Sequence, residues 1–249
     1  MTSSSIAQSA RIADQVVLGE FCVVGQDVEI GSGCRIGHHV IIHDGVRIGK
    51  SVRIDDHAVI GKQPISARRS ALPDSGGQPP TVVSDHCQIG TAAIVYAGAV
   101  LDEGVLVADL ATVREDVRVG TFTIVGRGVA IEQHCTIGAR CKLETNAYIT
   151  AYSTVEDDVF VAPGVLTSND RFMGRTEARL KQFKGVHARQ GARLGVGAII
   201  LPGIVLAEES VAGAGAVITR ETETATIYTG VPGRPLKGVP DEQILTRKK

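Results

Sequence analysis

The sequence predicts an all-β chain wound as a parallel β-helix, a triangular prism of hexapeptide repeats. Aliphatic residues recur at every sixth position, and a small or β-branched residue follows four places after most of them. Aromatic bulk is scarce, with no Trp, 5 Phe and 4 Tyr among 249 residues, so the interior must be narrow enough for aliphatic side chains to fill it.

The first run is Ile6, Ile12, Leu18, Val24, Ile30, Ile36, Ile42, Ile48, Ile54 and Ile60, without a miss. A second begins at Val83 and continues every six residues to Val161, and a third links Leu194, Ile200, Leu206, Ala212 and Ile218. Gly often follows the aliphatic residue, as a tight turn favours. All 5 cysteines (Cys22, Cys34, Cys87, Cys135 and Cys141) fall in the small column, which makes them buried hydrophobes rather than a disulfide or metal set. A six-residue unit is too short to present helical faces, and it suits short strands joined by turns, three to a coil. About ten coils at the ~4.8 Å strand spacing make a rod of roughly 48 Å.

Two segments break the period. Residues 61–82, with "GKQPISARRSALPDSGGQPP", read as a projecting loop, and so do residues 167–187, which contain "TSNDRFMGRTEARLKQFKG". The β-helix is assigned to residues 1–237. Residues 238–249, including "VPDEQILTRKK", are expected to cap it with a short helix, since a bare end of a stacked repeat is poorly soluble. A net charge of −1 gives no general pull toward nucleic acid or anionic membrane. The opening "MTSSSIAQSARIAD" lacks the pattern of a secretory leader, and no apolar run approaches the ~18 residues of a membrane span. A cytoplasmic location is expected.

The hexapeptide pattern resembles the left-handed parallel β-helix of the "isoleucine-patch" acyltransferases over nearly the whole chain. Handedness follows from that resemblance and not from the period, because left-handed crossovers are otherwise rare. "EDDVFVAPGVLTSNDRFMGR" resembles the nucleotide-sugar N-acetyltransferases, with Thr167-Ser168-Asn169-Asp170 standing where that family has a "TND" motif. Its closing "GxPAR" appears as Gly230-Val231-Pro232-Gly233-Arg234, Gly replacing Ala. The first half is more similar to the UDP-N-acetylglucosamine acyltransferases. The resemblance implies a homotrimer that transfers an acetyl group from acetyl-CoA to the amine of a nucleotide-linked amino sugar, with no metal required. O-acetylation, an acyl-carrier-protein donor and a non-catalytic scaffold are the alternatives.

Such transfer needs a held donor, an unprotonated amine and a hydrogen-bond donor for the oxyanion. In the resembling enzymes the pantetheine arm crosses small residues between subunits. Gly197, Ala198, Gly215 and Ala216 match that role, although both alanines also occupy the small inward column. Arg234 and Lys237 are the candidates for the CoA phosphates. Asn169 and Asp170 are first choice as base or substrate clamp, with an Asx-type turn as the alternative. Glu144 and Asn146 lie outward shortly before the loop and are further polar candidates, Asn146 for substrate, as are Arg171 and Arg175. His134 matches the catalytic histidine at an outward corner of the UDP-N-acetylglucosamine acyltransferases. His39 and His57, 18 residues apart, should stack on adjacent coils, but the histidine spacing does not meet the zinc pattern of the related prism carbonic anhydrases.

Overall fold

The computed structural model describes residues 4–66 and 77–245. The chain winds through three sheets in rotation, and nearly every strand is two residues long. The first face has 11 strands, from Ser5–Ile6 to Val217–Ile218. The second has 10, from Arg11–Ile12 to Val205–Leu206, and the third has 12, starting at Val17–Leu18. All pairings are parallel except the last, between Thr226–Thr229 and Arg234–Gly238. Strands pair with the coil 18 residues on, as in Ser5 with Val23 and Ile6 with Val24.

The second residue of each strand points inward. Ile42, Ile54, Ile60, Leu101, Ile131, Leu143 and Ile149 are almost completely buried, and each contributes about 1.5–3 kcal/mol by leaving water. The small column fills the corners of the triangle. Its polar members also bond locally: Cys34 Sγ–H donates to Gly49 O at 3.1 Å, Cys87 to Asp102 O at 3.1 Å, and Thr123 Oγ1–H to Gly138 O at 2.7 Å. Cys and Thr therefore alternate with Ala and Val because they match them in size and can also donate to a carbonyl of the next coil.

At most corners the third turn residue adopts a left-handed backbone, whether or not it is glycine. His39 has φ 55°, His57 φ 61°, His134 φ 57° and Tyr152 φ 64°. This conformation repeats on every coil, so side chains 18 residues apart lie one above another. Phe21, His39 and His57 form such a stack, with centroids 5.0 and 4.9 Å apart. The glycine after the inward residue serves a different purpose, close approach of the next coil. A Cβ on Gly138 would lie 2.6 Å from Asp157 N and Glu156 C.

The repeat outlasts its aliphatic signal. Strand Leu166–Thr167 continues the first face, with Thr167 pointing inward, so the second excursion spans 168–186 rather than 167–187. Strand Val59–Lys62 likewise carries the first face two residues beyond Ile60, and the second face resumes at Val82–Val83. The core of the first loop, residues 67–76, lies outside the described residues.

The C-terminal end differs from expectation. The antiparallel strand Arg234–Gly238, which crosses the expected boundary at 237, lies beside Thr226–Thr229. Where a short capping helix was expected, the described residues hold one 3-10 turn, Asp241–Gln243. This turn packs along the prism's side, where Arg193 Nη1 donates to Gln243 Oε1 at 2.9 Å and Leu245 N to Glu209 Oε1 at 2.9 Å. Among the described residues, no helix is long and apolar enough to cross a membrane.

Candidate active site

Both interruptions leave the prism at one corner, between the first and second faces. The first follows strand Val59–Lys62 and the second follows Leu166–Thr167, both on the first face. The partner spacing rises from 18 to 35 residues across the first and to 33 across the second. Between them this corner is built from residues 97–99, 114–117, 132–135 and 150–153, and most of the buried polar residues among those described lie along it: Thr81, Glu115, Gln133, Thr150, Ser153 and Thr167.

His134 is held at the middle of that corner. Its backbone N–H donates to Glu115 O at 3.1 Å, and Tyr152 N donates to Gln133 O at 3.2 Å, which places Asp116, His134 and Tyr152 in one column. The imidazole stacks on the Tyr152 ring at 5.2 Å and 16°, and its Nδ1 lies 3.3 Å from Asp116 Oδ2. An Nδ1–H directed at a carboxylate leaves Nε2 with its lone pair, the form a general base requires. His134 and Asp116 remain partly open to solvent, with side chains 38% and 33% exposed.

A charged wall borders this column on the first-face side. Arg114 donates to both oxygens of Glu115, from Nε at 2.7 Å and Nη2 at 2.8 Å, and reaches Glu132 Oε2 at 3.3 Å. Burial pushes the Glu132 carboxyl up, with Arg114 opposing and Glu115 adding to the rise. The Tyr96 ring lies under two cations, Lys62 Nζ at 5.2 Å and the Arg114 guanidinium at 4.9 Å. Burial, and then Glu132, raise the Tyr148 hydroxyl.

The second loop begins two coils beyond His134, roughly 10 Å along the axis. Asn169 reaches back with Nδ2 3.5 Å from Ala151 O. Asp170 accepts from Phe172 N at 2.8 Å and Gly174 N at 2.9 Å, with Arg179 Nη1 3.6 Å away. The backbone N–H of Gly174 leads in holding its carboxyl below the usual carboxylate range. Asp170 thus forms the Asx-type turn that was the alternative to a base, and it organises the loop. Arg171 and Arg175 are exposed on that loop.

The remaining candidates lie elsewhere. Glu144 and Asn146 belong to the corner between the third and first faces, not to the corner of His134 and Asn169. Gly197 and Gly215 lie further along that same corner, at φ 65° and 66°, with open space where a side chain would project. Ala198 and Ala216 beside them are fully buried, so their side chains pack in the core. Arg234 and Lys237 are exposed on the terminal antiparallel strand. The two polar corners flank a first face whose strands begin with uncharged residues, among them Val23, Ile41, Leu166, Ile199 and Val217, while Lys62 ends the strand Val59–Lys62. Asp116, Glu132 and Tyr152 were not among the sequence candidates. The signal for two of them was present, because Asp116 and Tyr152 each lie 18 residues from His134.

Comparison with known proteins agrees with this architecture. The bacterial transferase hexapeptide (six repeats) model matches residues 9–44, and the hexapeptide repeat of succinyl-transferase matches residues 27–62, 115–151 and 190–220. A Schizosaccharomyces pombe protein provisionally named an acetyltransferase is 35% identical over 57 residues, 23% of this chain. The matched segment spans only 28% of that relative. Among solved structures, the UDP-N-acetylglucosamine O-acyltransferase LpxA of Moraxella catarrhalis superposes with a TM-score of 0.52 at 17% identity, over 94% of this chain and 72% of its own. LpxA of Bacteroides fragilis, a UDP-N-acetylglucosamine acyltransferase, gives a TM-score of 0.56 at 17% identity, over 96% and 74%. Transferase-type hexapeptide repeats thus match residues 9–62, 115–151 and 190–220, and the chain has the left-handed β-helix fold of these solved structures.

Proposed function

We propose that the protein transfers an acetyl group from acetyl-CoA to the amine of a nucleotide-linked amino sugar, as a homotrimer, for glycan or polysaccharide synthesis. The observation that carries this reading is the convergence of both interruptions on the corner where His134 stands between Asp116 and Tyr152. The repeat elsewhere is a uniform scaffold, and a histidine whose Nδ1 faces a carboxylate supports the choice of this corner.

In the proposed reaction His134 takes a proton from the amine as its nitrogen attacks the thioester carbonyl. The C–N bond forms, the C–S bond breaks, and His134 returns the proton to the leaving sulfur. Asp116 orients the ring and stabilises the imidazolium. Asn169 is assigned to hold the sugar or the thioester carbonyl, and Arg171 and Arg175 to meet the nucleotide phosphates. The bare backbone at Gly197 and Gly215 suits a pantetheine arm, with Arg234 and Lys237 available to the CoA phosphates. Glu144 and Asn146 lie on that donor side.

The same geometry supports the proposed trimer. One prism separates its two candidate corners by the width of the first face, roughly 20 Å for a six-residue side. A neighbouring prism seated on the largely apolar first face would bring one copy's glycine corner beside the next copy's His134 corner, in a head-to-tail contact that closes as a ring. The five free, buried cysteines suit a reducing cytoplasm. Thiol release from acetyl-CoA with paired amino- and hydroxy-sugar nucleotides tests the reading and separates N- from O-transfer. No release with any acceptor, together with no CoA binding by calorimetry, refutes it.

A further inference from the structure

The turn before His134 holds an excess of hydrogen-bond acceptors that the assigned roles do not use. Glu115 is saturated by Arg114, which leaves Glu132 a single contact to that guanidinium, through Oε2 at 3.3 Å. Among the described residues nothing donates to Glu132 Oε1, and the carboxylate side chain is 25% exposed. The next residue, Gln133, is only 7% exposed, and its Oε1 is buried without a donor. The other charged groups facing the turn are engaged. Asp116 lies against His134, Lys62 lies on the Tyr96 ring, and Arg114 is shared between Tyr96 and the two glutamates. One turn, adjacent in sequence to His134, therefore holds a half-buried carboxylate with one oxygen unpaired and a buried amide oxygen without a donor. A buried acceptor without a donor is destabilising until one arrives.

We infer that the Glu132–Gln133 turn binds the acceptor's amine in its protonated, three-donor form, and so selects an amino sugar over the corresponding hydroxyl sugar. An ammonium supplies charge to Glu132 and N–H donors that a hydroxyl cannot match. Desolvation of the carboxylate, which raises its pKa, is relieved by such a cation. Before attack the ammonium loses one proton to solvent through His134. The second passes through His134 to the leaving sulfur, so one amide, one thiol and one free proton result. This inference rests on the acyltransferase reading, with Glu132 as a specificity-determining residue rather than the base.

The test compares UDP-glucosamine with UDP-glucose, which differ by amine against hydroxyl at one carbon, in the wild type and in Glu132→Gln. The expected result is at least a tenfold rise in KM for UDP-glucosamine with kcat changed less than threefold. KM for UDP-glucose should stay within twofold. A purely structural Glu132 would weaken both acceptors together, and that outcome overturns the inference. Gln133→Leu is the second variant, expected to raise KM for the amine several-fold while raising Tm, because it removes an orphaned acceptor. If the wild type acylates neither sugar, calorimetry decides the inference by itself, and the acyltransferase reading fails only if no acceptor gives thiol release and CoA does not bind. A roughly tenfold preference for UDP-glucosamine that Glu132→Gln abolishes supports it, and equal binding overturns it.

Discussion

Replacing His134 by Ala separates catalysis from scaffold. The imidazole side chain is 38% exposed and makes one ring contact and one carboxylate contact. Its stacking on Tyr152 at 5.2 Å is worth about 0.5–1.5 kcal/mol, and the partly exposed pair with Asp116 about 0.5–1 kcal/mol after screening. The total loss is about 1–2.5 kcal/mol, which lowers Tm by roughly 2–10 °C for a chain of this length. Loss of a positioned general base costs ~10²–10⁴ in rate, or about 3–5 kcal/mol of activation free energy. Turnover should therefore fall at least a hundredfold in a protein that remains folded. Asp116→Asn keeps the ring in place and removes only the screened charge, so a two- to fivefold loss is expected. The assay is continuous thiol release at saturating acetyl-CoA, with circular dichroism melts of each variant. Retention of more than a tenth of wild-type turnover in His134→Ala would refute its assignment as the base.

The other predictions concern the loop, the donor corner and the core. Asp170→Ala frees the N–H groups of Phe172 and Gly174, so the 168–186 loop loosens and turnover falls at least tenfold with Tm unchanged; faster proteolysis within the loop reports the cause. Gly197→Ala puts a Cβ into open space at φ 65° and costs about 1 kcal/mol; a several-fold rise in KM for acetyl-CoA is expected, and an unchanged KM would remove Gly197 from the donor path. Gly138→Ala should destabilise by about 3 kcal/mol, because the new methyl meets the backbone of the next coil. Burial raises the thiols of Cys87 and Cys141 to about 11 and that of Cys135 to about 12. Native protein at pH 8 should therefore resist a disulfide reagent, with all 5 cysteines reacting after denaturation. The unfolded chain ionises these thiols from about pH 8.5 while the folded chain keeps them protonated, so stability should decline as pH rises from there toward 11–12.

The prism was legible because one inward residue in six must be aliphatic, and that constraint repeats along the chain. Thr167 shows where the reading stopped short. It occupies the inward column with a hydroxyl that accepts from Thr150 N at 2.7 Å and donates to Tyr148 O at 3.0 Å, so polarity concealed a strand. Stacking was legible as well, since His39 and His57 lie 4.9 Å apart, as an 18-residue coil requires. Assignment to corners was less so. Glu144 and Asn169 are near in sequence, yet a displacement of six residues moves a side chain to another edge of the triangle. The acceptor surplus at Glu132 and Gln133 was not legible, because it depends on which carboxylate Arg114 binds with two hydrogen bonds.

A structure of the protein with CoA and UDP-glucosamine bound tests the central claim most directly. The account predicts three copies around a common axis, with the sugar amine within hydrogen-bond reach of His134 Nε2 and Glu132. The pantetheine arm should cross Gly197 and Gly215 of the adjacent copy. A monomeric prism, or a sugar bound away from the corner between the two loops, would contradict it.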